Sequence, residues 1–223
     1  YSRVTFVLAF ALSLVLVPLA RALVLHFASR WAWWAEPVII VGTGRLAPWM
    51  AQAHVALQPD LTHVEVWGRS ADAAEDVVEV LREEGIDAEV AQDLRAAVER
   101  ADLVSCATTS REPLIRGAWL HAGMHLDLVG GFRRDMREAD DDAVARARLV
   151  VDTYAGALSE AGDLTQPIAR GVITREHVVA EMAQLLRGEV RGRTHAEEIT
   201  LFKSVGTALE DLAAATLVVN RRV

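Results

Sequence analysis

The chain has 223 residues, 52% of them hydrophobic, and a formal net charge of −8. That length supports one or two domains with a substantial core. The acidic balance argues against nucleic acid as a partner, and the single cysteine, Cys106, excludes an internal disulfide or a cysteine-rich metal site.

The first apolar run extends from Val4 to Phe27 and is interrupted by Pro18, Arg21 and His26. Three readings fit it. As a membrane helix it would reach about 36 Å at ~1.5 Å per residue, enough for a hydrocarbon core of about 30 Å. Arg30, Trp31, Trp33 and Trp34 would then be its interfacial anchor. Arg21 opposes this, at about 2.5–3.5 kcal/mol if central. As a signal peptide, Arg3, the apolar run and Ala20-Arg21-Ala22 fit loosely. The third reading is a buried helix or the remnant of another domain. Residues 1–37 are therefore set apart from the rest of the chain.

Val38-Ile39-Ile40-Val41 is a short apolar, β-branched run that predicts a buried strand. Gly42-Thr43-Gly44 then turns the chain, and a helix-forming run follows from Arg45 through Leu46 and Ala47. Strand, glycine turn and helix in that order open a dinucleotide-binding fold. The first glycine permits the turn, and the second lets backbone approach a pyrophosphate at the helix N-terminus. Ala47 takes the place of the third glycine, and Pro48 falls in the first helical turn, where its missing N–H costs little.

His63 to Trp67 alternates like a second strand and ends at Gly68-Arg69-Ser70. A site for NAD places a carboxylate at this strand end to bind the ribose 2′-hydroxyl. Here a cation and a hydroxyl stand there instead, and Glu65 comes too early, so the pattern predicts NADP(H), with NAD(H) as the alternative.

Ala71 to Glu84 predicts a helix with Ala74, Val77, Val78 and Leu81 on one face, stopped by Gly85. A strand over 87–90, an Asp93-capped helix to Arg100, and strands over 102–107, 124–129 and 148–151 follow. Strands alternating with helices predict an α/β fold with a doubly wound parallel sheet. Ligands of such sheets lie beyond the carboxyl ends of the strands, where Gly42–Leu46, Thr108–Ser110 and Gly130–Asp135 all fall. His121 and His125 are four apart, but Gly123 lies between them and His125 starts a strand, so no metal is expected, and Cys106 has no His–Asp pair to make it a nucleophile.

The remainder is less regular. Leu158 to Gly162 reads as a turn or loop, and Thr174 as the cap of a helix from Arg175 to Leu186. Thr200 to Gly206 is a short apolar stretch ending in small residues, and Thr207 to Asn220 predicts a helix. The organisation expected is an apolar segment over 1–37, a nucleotide domain over 38–200 and a C-terminal helical piece over 201–223.

Together these motifs resemble the ornithine cyclodeaminase/mu-crystallin family. The residues that carry the resemblance are Val41 to Pro48, Val66 to Ser70, Cys106 to Ser110, Gly123 to Gly131, Arg133 to Asp140 and Ile199 to Asp211. It covers Val38 to the C-terminus and is specific through the order and number of its motifs. Cyclodeaminases of the family have an aspartate straight after the paired glycines, where this chain has Phe132. Gly130-Gly131-Phe132-Arg133-Arg134-Asp135-Met136-Arg137-Glu138 is more similar to the ketimine and pyrroline-carboxylate reductase branch, with Arg134 in place of that branch's proline.

The resemblance implies hydride transfer from NADPH to a small cyclic imino acid; a nicotinamide-cofactor enzyme is expected in the cytoplasm, and the apolar run over 4–27 adds the expectation of a membrane anchor. The alternatives are an NAD-recycling ornithine cyclodeaminase and a non-catalytic NADP(H)-binding protein. It also implies that Gly42, Gly44, Arg45, Leu46, Arg69, Ser70, Thr108, Asp127, Leu128, Val129, Gly130 and Ser204 line the cofactor. Asp135 would sit near the nicotinamide and organise substrate or the proton path; an ion pair with Arg137 is the alternative for it. The family has a substrate and dimerisation domain before the glycine strand, whereas 37 residues precede Val38 here. A homodimer is expected where that domain is present, and the helix from Thr207 would return to it.

Overall fold

A computed structural model describes residues 37–58, 61 and 63–220 of the chain. The apolar run over 4–27, and with it the three readings of that run, lies outside the described residues.

Among the described residues eight strands form one parallel sheet: β1 (Pro37–Val41), β2 (His63–Trp67), β3 (Ala88–Val90), β4 (Leu103–Cys106), β5 (His125–Leu128), β6 (Arg148–Val151), β7 (Val178–Glu181) and β8 (Thr200–Lys203). Their order is β3-β2-β1-β4-β5-β8-β6-β7. The chain runs outward from β1 to β3, returns, and continues on the other side with β4 and β5. The order reverses between β1 and β4, which are directly paired, Val41 opposite Cys106. β1 and β4 are almost wholly buried, as strands covered on both faces must be.

Among the described residues eight helices accompany the sheet: α1 (Ala47–Leu57), α2 (Ala71–Glu83), α3 (Leu94–Arg100), α4 (Asp141–Arg146), α5 (Tyr154–Glu160), α6 (Gly162–Ala169), α7 (Met182–Leu186) and α8 (Ala208–Asn220). Their starts are legible in local chemistry. Ser70, Asp93, Asp140 and Thr153 each accept an N–H from the first turn of the helix that follows. Gly85, at φ +80°, ends α2 in a conformation that favours glycine.

Alternation along the strands sorts the core into two layers. Val38, Ile40, Val64 and Val66 point to the face packed by Ala47 and Ala51 of α1 and by Ala74, Val78 and Leu81 of α2. Ile39, Val104, Leu126, Leu149 and Leu201 point to the opposite face, packed by α3, α4, α5 and α6. On the first face β5, β8 and β6 instead line an open, mostly apolar groove of about 530 Å³, flanked by Met50 and Leu57 of α1 and by Met182 and Leu185 of α7.

The structure departs from the sequence expectations in the last third. Leu158–Gly162 is no loop: it ends α5 and starts α6. The predicted helix over Arg175–Leu186 resolves into a single 3-10 turn at Arg175–His177, the strand β7 and the short α7. Val178 and Ala180 are buried against β6, and that pairing outweighs the helical spacing of this run. Thr200–Lys203 is strand β8, inserted between β5 and β6. The boundary expected at residue 200 therefore cuts a central strand, and the sheet domain continues through Lys203. Among the described residues no helix is long and apolar enough to cross a membrane.

Candidate functional site

The switch between β1 and β4 opens a cleft of about 310 Å³ at the carboxyl end of the sheet. Gly42 leaves β1 at φ +127°, and a Cβ there would lie 2.7 Å from the Ala107 carbonyl oxygen. Glycine is required so that the ends of β1 and β4 can meet. A Cβ on Gly44 would enter open space instead, so its bareness is not needed for packing. No side chain caps α1, and its first turn contains no acid. Ala47 donates its N–H to the Gly44 carbonyl and Pro48 has none, so the N–H groups left to an outside acceptor such as a pyrophosphate are those of the turn Gly44–Leu46 that leads into the helix. The residues present fit a dinucleotide. Arg45 and Leu46 are exposed at the start of α1.

The cleft's β2 side is built by Trp67, Gly68, Arg69 and Ser70. Arg69 is exposed there. The Ser70 hydroxyl oxygen caps α2 by accepting the Ala73 N–H at 3.3 Å, which leaves its own proton free to donate. Glu65 is buried, and its two carboxylate oxygens accept hydrogen bonds from Arg100 at 3.0 and 2.9 Å. It is committed to a structural ion pair, in keeping with its early position in the strand.

The β4 side is built by Ala107, Thr108, Thr109 and Ser110. Glu138 Oε1 accepts two hydrogen bonds from Thr108, from the backbone N–H at 2.7 Å and from the hydroxyl at 2.8 Å. Asp163 Oδ1 in turn accepts the N–H groups of Glu138 and Ala139 at 2.7 and 2.9 Å. Lys203 donates to the Gly130 carbonyl and lies 3.3 Å from Asp163 Oδ2 and 3.9 Å from Glu138 Oε2. Glu138, Asp163 and Lys203 are completely buried. Burial pushes Glu138 up to about 7, and the neighbouring Lys203 opposes that shift. A Cβ on Gly130 would overlap the Thr108 backbone, so the ends of β4 and β5 touch directly.

The structure thus gathers Gly42, Gly44, Arg69, Ser70 and Thr108 around one cleft, with Arg45 and Leu46 exposed directly after Gly44 in the chain and Gly130 packed behind Thr108. Other candidates lie elsewhere. The Leu128 side chain is in the core. Asp127 points to the open groove on the first face, where its carboxylate meets the Ser105 hydroxyl and the His54 ring, each at 3.1 Å. Val129 and Ser204 line the same groove. Ser204 also donates to Asp152 at 3.1 Å, which closes the turn after β8. These positions follow from strand parity: residues 127 and 129 face opposite to residues 126 and 128.

Asp135 is exposed beyond β5 and pairs with Arg133 at 3.1 Å and Arg111 at 3.4 Å. Arg137, the partner weighed for it from sequence, binds Asp141 at 2.7 Å instead. Cys106 is completely buried, and that burial pushes its thiol well up and disfavours the thiolate. Among the described residues no group of His, Cys, Asp or Glu could hold a metal.

Sequence reasoning missed the buried cluster of Glu138, Asp163 and Lys203. One signal was present: Lys203 is the sole lysine of the chain and stands in an apolar run. A charge there must be buried and paired.

A model of the ornithine cyclodeaminase/mu-crystallin family matches residues 31–223. The chain is 44% identical over 183 residues to a Delta(1)-pyrroline-2-carboxylate reductase of Paracoccus denitrificans, covering 81% of this chain and 57% of the relative. The Thermococcus litoralis Delta(1)-pyrroline-2-carboxylate reductase, solved with NADH and L-proline, superposes with a TM-score of 0.79 at 36% identity. That match covers 82% of this chain and 57% of the other. An archaeal alanine dehydrogenase dimer with bound NAD superposes with a TM-score of 0.78 at 28% identity, covering 85% and 59%. The chain spans a little over half the length of these relatives.

Proposed function

The chain belongs to the ornithine cyclodeaminase/mu-crystallin family, and from that premise we propose that the whole protein is a NAD(P)H-dependent reductase of cyclic imine carboxylates of the pyrroline-2-carboxylate or ketimine type. The observation that carries this reading is the glycine-lined cleft at the β1/β4 switch, in a chain 44% identical to a pyrroline-2-carboxylate reductase. A bound reduced nicotinamide would supply hydride to the imine carbon, and the imine nitrogen would take a proton.

The chain's own residues bind and orient. Gly44 and the uncapped start of α1 accept the pyrophosphate, with Arg45 and Leu46 beside it. Thr108, held by Glu138, fixes the cleft floor beyond β4. Asp135 stands at the same end of the sheet between Arg133 and Arg111 and organises substrate or the proton path. The companion domain and the dimer belong to this proposal, with α8 returning to them: all of α8 is exposed here, including Leu209, Leu212 and Leu217.

For the nucleotide, NADPH over NADH is proposed. The exposed Arg69 guanidinium and the Ser70 hydroxyl suit a 2′-phosphate, and the one carboxylate of β2 is sequestered by Arg100. The Thermococcus litoralis reductase holds NADH and the archaeal alanine dehydrogenase holds NAD, so the preference rests on these residues of this chain.

The second reading, an ornithine cyclodeaminase, is disfavoured by Phe132. It is exposed directly after the paired glycines and cannot serve as an acid or base. An assay separates the two: cyclic ketimine carboxylates with NADPH, against ornithine with NAD. Imine-dependent NADPH loss without ammonia from ornithine is the expected result; ammonia from ornithine alone would reverse it.

A further inference from the structure

Glu138, Asp163 and Lys203 are buried together, yet their charges do not balance, because two carboxylates face one ammonium. Asp163 Oδ1 accepts two backbone N–H bonds, and its Oδ2 faces the Lys203 ammonium at 3.3 Å. Lys203 is shared between the Gly130 carbonyl and the two carboxylates. With all three ionised the cluster is one negative charge in excess. The other titratable group facing Glu138 is Cys106 on β4, which burial keeps neutral.

The cluster lies under one half of the cleft. A dinucleotide laid across a switch point extends to both sides of it. Arg69 and Ser70 beyond β2 suit the adenosine half, so the nicotinamide half falls over the ends of β4 and β5. Those ends are Thr108 and Gly130, the two residues that Glu138 and Lys203 hold. The oxidised nicotinamide ring is positively charged and the reduced ring is neutral. A fixed negative charge in a low-dielectric interior distinguishes them.

Resting on the dinucleotide reading of the cleft, we infer that the Glu138–Asp163–Lys203 cluster biases it toward the oxidised nicotinamide ring, with Glu138 as the positioning residue beneath Thr108. Positive charge develops on the ring as hydride leaves it, so the same excess charge favours reduction of the imine. Glu138 takes up a proton near neutrality, which makes the bias depend on pH. Below that range the cluster is neutral and the bias is lost; above it the bias is full.

The test titrates the 223-residue chain with NADPH, NADP+, NADH and NAD+ from about pH 6 to pH 8, following tryptophan fluorescence. The ratio of the reduced form's Kd to that of the oxidised form is expected to rise roughly 3- to 10-fold across that range. In Glu138→Gln the ratio should be flat. In Lys203→Met the rise should move to higher pH, because Lys203 lowers the carboxyl's proton affinity. Calorimetry of the wild type gives a readout that needs no variant: oxidised nucleotide should release protons on binding near neutrality, and reduced nucleotide should not.

A merely structural cluster would weaken both redox forms together in Glu138→Gln. A wild-type ratio independent of pH, or one equally pH-dependent in Glu138→Gln, overturns the inference while leaving the dinucleotide reading intact. Failure of all four nucleotides to bind would overturn that reading, and this inference with it.

Discussion

Glu138 and Thr108 are joined twice through one oxygen: Glu138 Oε1 accepts both the backbone N–H and the hydroxyl proton of Thr108. The bond pair spans from the loop after β5 to the end of β4. It ties that loop to the end of β4, on the side of the cleft away from Arg69.

That arrangement predicts how stability varies with pH. The Glu138 carboxyl sits near 7 in the folded protein, against about 4.3 in an unfolded chain. Between those values the folded state binds the extra proton, so this group's contribution falls as pH rises from about 4.5 to 7. Urea unfolding across that range should show Glu138→Gln losing this decline, and the wild-type minus variant difference should change by about 1–3 kcal/mol. An unchanged difference would mean that the carboxyl ionises normally.

Cofactor choice should turn on Arg69. Wild type should bind NADPH more tightly than NADH, and Arg69→Ala should lose about 1–2 kcal/mol of NADPH affinity while NADH binding changes little. Fluorescence titration of both nucleotides decides this. Equal affinities in the wild type would assign Arg69 to the solvated surface.

The two glycines of the turn should separate fold from function. Gly42→Ala places a Cβ 2.7 Å from the Ala107 carbonyl at φ +127°, so a loss of about 1–3 kcal/mol is expected in thermal or urea unfolding. Gly44→Ala meets nothing within 4 Å and should melt near the wild-type temperature. Its nucleotide affinity should nevertheless fall, because the added methyl occupies the space where backbone and pyrophosphate meet. Unchanged affinity in Gly44→Ala would place the nucleotide elsewhere.

Arg100→Ala should act in the opposite way. It strands the buried Glu65 carboxylate, whose two oxygens it now engages, at a cost of about 1–3 kcal/mol. Nucleotide affinity should hold, since Arg100 lies outside the cleft lining. A selective loss of NADH binding would instead bring Glu65 into the site.

The first two-thirds of the fold was legible because its signals are local. Val38–Val41, the paired glycines, Ser70 and Asp93 each declare an element within a few residues. β7 and β8 were hidden because their strand character comes from pairing with β6 and β5, not from the run itself. The cleft residues were readable by the same local rule. Asp127 and Leu128 stand side by side in the sequence, yet alternation along β5 sends one side chain to the open groove and the other to the core. The Glu138–Asp163–Lys203 cluster joins positions far apart in sequence, and no spacing rule connects them.

The most direct test of imine reduction follows the hydride itself. NADPH deuterated at the transferable C4 position is supplied with pyrroline-2-carboxylate to the protein carrying its full substrate domain, and the product is examined by mass spectrometry. Proline with deuterium on its α-carbon is the predicted result. Unlabelled product, or no consumption of the imine while ornithine yields ammonia, would contradict imine reduction.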